Sequence, residues 1–149
     1  MPDTTAVNLI PHLCCRNAEA AVDFYQKAFG AEPIGVFRMP DGAVFHAAMK
    51  VGDSTFYIAP ECPVPGGDSP LKLGGTPVTL HLQVPDCDAV FERAVAAGCQ
   101  SVMPLQEMFW GDRYGMLLDP FGHRWSVATT VRKVSQEELQ QAAAAMAPA

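Results

Sequence analysis

Two histidines and one aromatic segment carry most of the chemistry on offer in these 149 residues. His12 sits in the apolar run NLIPHLCC, and His81 in the alternating run VTLHLQV. A histidine on the polar face of a half-buried strand, as His81 is between Thr79 and Gln83, is ordinarily a hydrogen-bonded wall residue. The segment QEMFWGDRYG gathers Glu107, Phe109, Trp110, Asp112, Arg113 and Tyr114 into a short space. Aromatic rings with a few polar groups are the usual lining of a small-molecule pocket. The same residues also read as a core or dimer contact, with Asp112 and Arg113 as a surface ion pair of little energetic worth. Five cysteines (Cys14, Cys15, Cys62, Cys87, Cys99) show no zinc spacing and read as reduced, mostly buried thiols. Cys14 and Cys15 are adjacent on a strand and point to opposite faces, so one of them can line a cavity. There is no GxSxG elbow, P-loop, GxGxxG or HExxH motif, and hydride transfer, phosphoryl transfer and serine hydrolysis have no foothold.

The elements that must position these residues come in two sets of the same order. After the strand at 8–15, NAEAAVDFYQKAFG repeats apolar residues Ala21, Phe24, Tyr25 and Ala28 at helical spacing and stops at Gly30. Strands follow at 32–39, 43–51 and 54–59, separated by the turns Pro40-Asp41-Gly42 and Gly52-Asp53. The Pro/Gly-rich stretch 60–77 reads as a surface connection. The order then restarts with a strand at 78–84, a helix over DCDAVFERAVAAG and strands near 100–104, 112–118 and 123–129. Both halves are βαβββ. Aligning the helix starts places Asn17 on Asp86, an offset of 69, and the same offset carries His12 onto His81. The expected fold is α+β: two such modules related by a pseudo-twofold, with curved mixed sheets around a shared cavity across which the two histidines face each other. The predicted boundaries are 1–130 for one domain, with module one at 7–60, linker 61–77 and module two at 78–130, then a tail at 131–149. In that tail Ser135 and Glu138 form a capping-box signature ahead of an Ala-rich helix, which packs weakly on the body or on a second subunit.

Composition narrows the partners. A formal net charge of −6 with scattered basic residues offers no positive stripe for nucleic acid or anionic membrane. No apolar run approaches the length of a spanning helix, and MPDTTAVN lacks the layout of a secretion signal, so the expected location is cytoplasmic.

The segments AEAAVDFYQKAFGAEP, MPDGAVFHAAMKVGDS, LGGTPVTLHLQVPDCDAVFERAVAAG and FWGDRYGMLLDPFGHRWSVAT resemble the vicinal oxygen chelate superfamily. Within it they are most similar to the PhnB-like, glyoxalase/bleomycin-resistance branch. The similarity covers about residues 7–130. The resemblance implies the two-module fold and, in metal-using members, a divalent ion held by side chains of the first and last strands. By position, His12 and His81 match the two first-strand ligands, and imidazole suits Zn, Ni, Co, Fe or Mn. The last-strand glutamate, expected seven residues after the Asp of the DP-x-G turn, falls on Ser126, and its counterpart in the first half falls near Tyr57. An ion would have to recruit His46, Glu61 or Glu107 instead. His123, in the DPFGH turn, reads as structural.

Two functions remain side by side. One is a homodimeric binding protein that sequesters a drug or metabolite, its site made by Tyr57, Phe109, Trp110, Met116 and Ser126. The other is a divalent-metal-dependent lyase, isomerase or thiol transferase of the glyoxalase type, with His12 and His81 as ligands and Glu107 as the catalytic base.

Overall fold

Asn17 and Asp86 open two equivalent helices in the same way. In the computed structural model, which describes residues 5–146, the Asn17 side chain accepts from the Ala20 amide at 3.0 Å and Asp86 accepts from the Ala89 amide at 3.1 Å. The helices are α1 (Ala18–Phe29) and α3 (Cys87–Ala97), where the apolar spacing and the aligned helix starts place them. Gly30 ends α1 in the left-handed region at φ 67° and returns its amide to Gln26. Arg93 of α3 then covers that end, donating from Nε to the Lys27 carbonyl at 2.6 Å and from Nη2 to the Gln26 carbonyl at 3.1 Å. A cation at a helix C-terminus complements the dipole there and occupies carbonyls the helix leaves open. Arg93→Ala should therefore lower the unfolding free energy by about 1 kcal/mol, measured by urea denaturation. An unchanged midpoint would show that water replaces the guanidinium at no cost.

Around α1 stand β1 (His12–Cys15), β2 (Glu32–Arg38), β3 (Val44–Val51) and β4 (Ser54–Pro60), in the sheet order β1-β4-β3-β2. Around α3 stand β5 (Thr79–Gln83), β6 (Gln100–Glu107), β7 (Asp112–Leu118) and β8 (Arg124–Thr130), in the order β5-β8-β7-β6. In each sheet the first strand runs parallel to the fourth and the rest are antiparallel. The register repeats too: His12 lies opposite Tyr57 and His81 opposite Ser126. The 69-residue offset is thus a structural equivalence, and the two-module α+β fold stands as predicted.

The first predicted strand is shortened. Asn8–Pro11 precede β1 without joining it, although the Pro11 carbonyl accepts from the Tyr57 amide. The connection 60–77 is less superficial than its composition suggests. It contains the short helix α2 (Pro70–Leu73), and Ser69 and Pro70 are buried within it. At the C-terminal end, α4 (Gln136–Met146) is opened by the predicted box, the Glu138 amide donating to Ser135 Oγ at 3.1 Å, and none of its residues is buried. Among the described residues no helix is long and apolar enough to cross a membrane.

What holds the two modules together is aromatic. Trp125 of β8 packs against Phe29, Tyr25 and Phe56 of the first module, at ring distances of 4.5, 5.5 and 5.9 Å. Asp119, in the β7–β8 turn, is 3% exposed and accepts from Tyr25 Oη, Trp125 Nε1 and the amides of Phe121 and His123. From that turn His123 reaches back through Nε2 to the Cys14 carbonyl at 2.8 Å. Its structural reading holds, and its partner belongs to the other module.

Candidate functional site

Strand alternation decides what each sheet shows to its two sides. In the first sheet Leu13, Cys15, Met49, Phe56 and Ile58 are buried on the side that meets Trp125 and the helices. The residues between them, His12, His46, Ala48 and Tyr57, share the opposite side. In the second sheet Leu117, Trp125 and Val127 point inward, and His81, Ser126, Met116 and Tyr114 share the other face. Because Trp125 packs on Phe56, the inward sides of the two sheets face each other. The two histidine faces consequently turn outward. Equivalent in position, His12 and His81 do not meet within one chain, contrary to the expectation that they face each other.

A cavity of about 840 Å³ does lie between the modules, bordered by Leu9, Ile34, Val51, Phe56, Leu80 and Trp125. Of the predicted site residues only His81 borders it. The shared cavity is therefore present but differently lined, because Tyr57, Met116 and Ser126 occupy the outer faces of their strands.

On the outer face of module two, one hydrogen-bonded chain organises the side chains. His81 Nδ1 lies 2.7 Å from Ser126 Oγ, and His81 Nε2 lies 2.7 Å from Gln83 Oε1. The Gln83 amide nitrogen donates to Thr130 Oγ1 at 2.9 Å and to Asp112 Oδ1 at 3.4 Å, which fixes its oxygen toward the histidine. Nε2 therefore carries a proton and donates to Gln83, and Nδ1 shares a hydrogen bond with the Ser126 hydroxyl. Asp112 also receives Trp110 Nε1 at 3.1 Å and the Thr130 hydroxyl at 3.1 Å. Rings continue the wall: Tyr114 stacks on His81 at 6.0 Å, Trp110 sits 5.5 Å from Tyr114, and Phe109 sits 5.1 Å from Trp110. Phe109, Trp110, Met116 and Ser126 thus come together on one module, and Tyr57 belongs to the other.

Asp112 and Arg113 are not an ion pair with each other. As neighbours on a strand they point to opposite faces, and Arg113 pairs with Asp88 of α3 at 2.8 Å. Glu107 is exposed at the end of β6, in register with Arg113. Glu61 is held by Arg16 at 3.0 Å and by the Ser69 hydroxyl, and these bonds lower its pKa, Ser69 having the larger effect.

The outer face of module one is less polar. His46 lies between His12 and Tyr57, at ring distances of 5.3 and 4.8 Å, with Phe37 at 6.4 Å. Burial pushes the His46 pKa down, and the nearby His12 adds to the effect. Among the described residues no group of three or more His, Cys, Asp or Glu side chains is placed to hold a metal ion. An ion at the position the resemblance implies does not fit here. Both ring nitrogens of His81 are already bonded, and Ser126 brings no carboxylate.

Tyr114, part of the aromatic segment read from the sequence, belongs to the module-two face, and Gln83 and Thr130, which carry no site signal in the sequence analysis, complete it. Gln83 stands two residues from His81 on a strand, so period-two alternation alone places it on the same side.

Residues 6–127 match the family described as Glyoxalase/Bleomycin resistance protein/Dioxygenase superfamily. The chain is 47% identical over 147 residues to the protein Rv0887c of Mycobacterium tuberculosis (strain ATCC 25618 / H37Rv), covering 94% of this chain and 86% of that one. Among solved structures it is similar to a gene product of Arabidopsis thaliana, AT5G48480, at 29% identity and TM-score 0.67, covering 83% of this chain and 98% of that one. The fosfomycin resistance protein FosX of Listeria monocytogenes, solved with Mn(II) and sulfate, shares the fold at 18% identity and TM-score 0.65, covering 92% of this chain and 98% of that one.

Proposed function

Since the chain belongs to the glyoxalase/bleomycin resistance protein/dioxygenase superfamily, we propose that it is a cytoplasmic small-molecule-binding protein of the PhnB-like branch, with the outer face of module two as its recognition surface. The observation that carries this reading is the saturation of His81. In FosX, a neighbour in fold, the structure holds Mn(II). Here both ring nitrogens of His81 are taken, Nε2 by Gln83 and Nδ1 by Ser126, an arrangement that orients a ring and leaves no nitrogen for an ion. Trp110, Tyr114 and the His81 ring offer flat faces for a planar ligand, and Asp112, Gln83 and Thr130 supply polar groups beside them.

Homodimerisation is part of the proposal. Two outward faces with Phe37 57% and Phe109 36% exposed leave apolar surface of the kind that a second subunit covers. A second copy laid on these faces would turn two open walls into an enclosed site.

The test uses tag-free protein and anilinonaphthalene sulfonate as a planar aromatic probe, followed by probe fluorescence. Saturable binding is expected, and Trp110→Ala should weaken it about tenfold, the loss of one aromatic contact. Equal affinity in the parent and in Trp110→Ala would count against this face and in favour of the cavity between the modules.

A further inference from the structure

We propose that Cys14 and Cys62 are a reversible redox pair, whose disulfide staples the linker after β4 onto β1 and forms by exchange with a low-molecular-weight disulfide such as oxidised glutathione. Of the five cysteines, Cys15, Cys87 and Cys99 are closed off from a solution oxidant by burial, at 0, 1 and 5% exposure. Cys14 is half-buried and Cys62 is exposed. On β1, Cys14 shares the outer side with His12, and Cys15 points the other way into the core. The β1–β4 register sets Cys14 opposite Ala59, and Cys62 follows just past the end of β4.

One residue brings the two cysteines together. The Gly67 carbonyl accepts from the Cys14 thiol at 3.5 Å and from the Cys62 amide at 2.9 Å, so both meet on a single oxygen. The Cys62 side chain folds onto the same residue: a Cβ at Gly67 would stand 2.7 Å from Cys62 Sγ and 2.2 Å from the Cys62 carbonyl oxygen, space that only glycine leaves. The adjoining chain is tied as well. Arg16, two residues beyond Cys14, pairs at 3.0 Å with Glu61, which precedes Cys62 and accepts from the buried Ser69 hydroxyl. Anchors on both sides hold the two backbones as neighbours, which a disulfide, with Cα atoms about 4.4–6.8 Å apart, requires.

The chemistry divides between the two thiols. The exposed Cys62 thiolate attacks one sulfur of oxidised glutathione, forming a mixed disulfide and releasing one glutathione thiolate. The Cys14 thiolate then attacks the Cys62 sulfur and expels the second glutathione as thiolate. Two protein thiols are thereby oxidised, one glutathione disulfide is reduced, and the two protein protons pass to the two glutathione thiolates. Burial, with the Glu61 charge second, pushes the Cys14 thiol up, which makes the second step the slower one. Where glutathione keeps thiols reduced at rest, a bond of this kind is transient and redox-sensing. Closed, it fixes the Cys14 end of the module-one outer face, independently of the recognition surface proposed on module two.

The experiment treats the reduced full chain with oxidised glutathione at slightly alkaline pH and follows intact mass, a peptide map and the melting temperature. The product should be lighter than the parent by two hydrogens, with Cys14 and Cys62 joined in the map, and dithiothreitol should reverse it. Its melting temperature should rise by about 5 °C or more, because the cross-link restrains the unfolded chain over a long loop. Cys14→Ser should stop at the glutathione adduct on Cys62, and Cys62→Ser should form no internal bond. Should either variant fold poorly, the map of the parent supplies the same answer. A parent that stops at the adduct or stays unmodified, a bond that joins other cysteines or two chains, or a melting temperature unmoved by the Cys14–Cys62 bond would overturn the proposal.

Discussion

Asp119→Ala should destabilise the protein by about 4 kcal/mol or more and lower its melting temperature by about 10 °C or more. The carboxylate collects four donors in the interior. Tyr25 Oη and Trp125 Nε1 reach Oδ2 at 2.5 and 2.9 Å, and the Phe121 and His123 amides reach Oδ1 at 2.8 and 3.0 Å. Each buried donor stripped of its acceptor costs about 1–3 kcal/mol, which is why deleting the acceptor outweighs deleting any one donor. Burial, with the Asp119 charge second, holds the Tyr25 hydroxyl well above its ordinary pKa, so it stays a donor throughout the accessible range. Tyr25→Phe removes one donor and leaves the carboxylate three, and should cost about 1–2 kcal/mol. Asp119→Asn should fall between, since one amide oxygen cannot serve four donors. Urea denaturation of the three variants checks the ranking. Should Asp119→Ala cost no more than Tyr25→Phe, the turn would have to re-pair its donors, and the carboxylate would not be the joint between modules.

That joint also shows what the sequence makes legible. Helix bounds follow from single residues, the side chains of Asn17 and Asp86 at the starts and the backbones of Gly30 and Gly98 at the ends, because capping is local chemistry. Strand membership and the 69-residue equivalence follow from alternation and turn residues. The relation between modules does not, because it depends on which side of each sheet the other covers, and both sides of these strands carry apolar residues. Met116 and Tyr57 on the outer faces are as apolar or aromatic as Phe56 and Trp125 on the inner ones. The hydrogen-bonded face of module two was half legible. Trp110 stands out by type and Ser126 by its place in the superfamily resemblance, while for Asp112 the sequence leaves a surface pair with its neighbour Arg113 beside a place in a pocket wall, and its partners across the sheet are Gln83 and Thr130. Long-range pairing of that kind has no sequence spacing. The short helix at Pro70–Leu73 escaped because a four-residue helix shows no period.

The Ser126 position invites the complementary change. Ser126 is 2% exposed, in register between His81 and Met116, with its hydroxyl 2.7 Å from His81 Nδ1. Ser126→Glu would place a carboxylate where the superfamily resemblance expects one. Without an ion, the larger side chain must find room against Met116 and bury a charge where a neutral hydroxyl stood. The expected loss is about 3 kcal/mol, or about 6–12 °C in melting temperature for a chain of this length. With nickel or zinc the same carboxylate and His81 converge on one ion, and binding to the folded state alone returns stability as the metal concentration rises above the dissociation constant. Ser126→Glu should bind nickel about tenfold or more tightly than the parent does, and its melting temperature should climb with added metal while that of the parent stays level. Calorimetry and thermal melts with and without nickel decide it. Equal metal affinity in the two forms would mean that His81 remains committed to Gln83, and that this face is built for hydrogen bonding rather than being a metal site lacking one ligand.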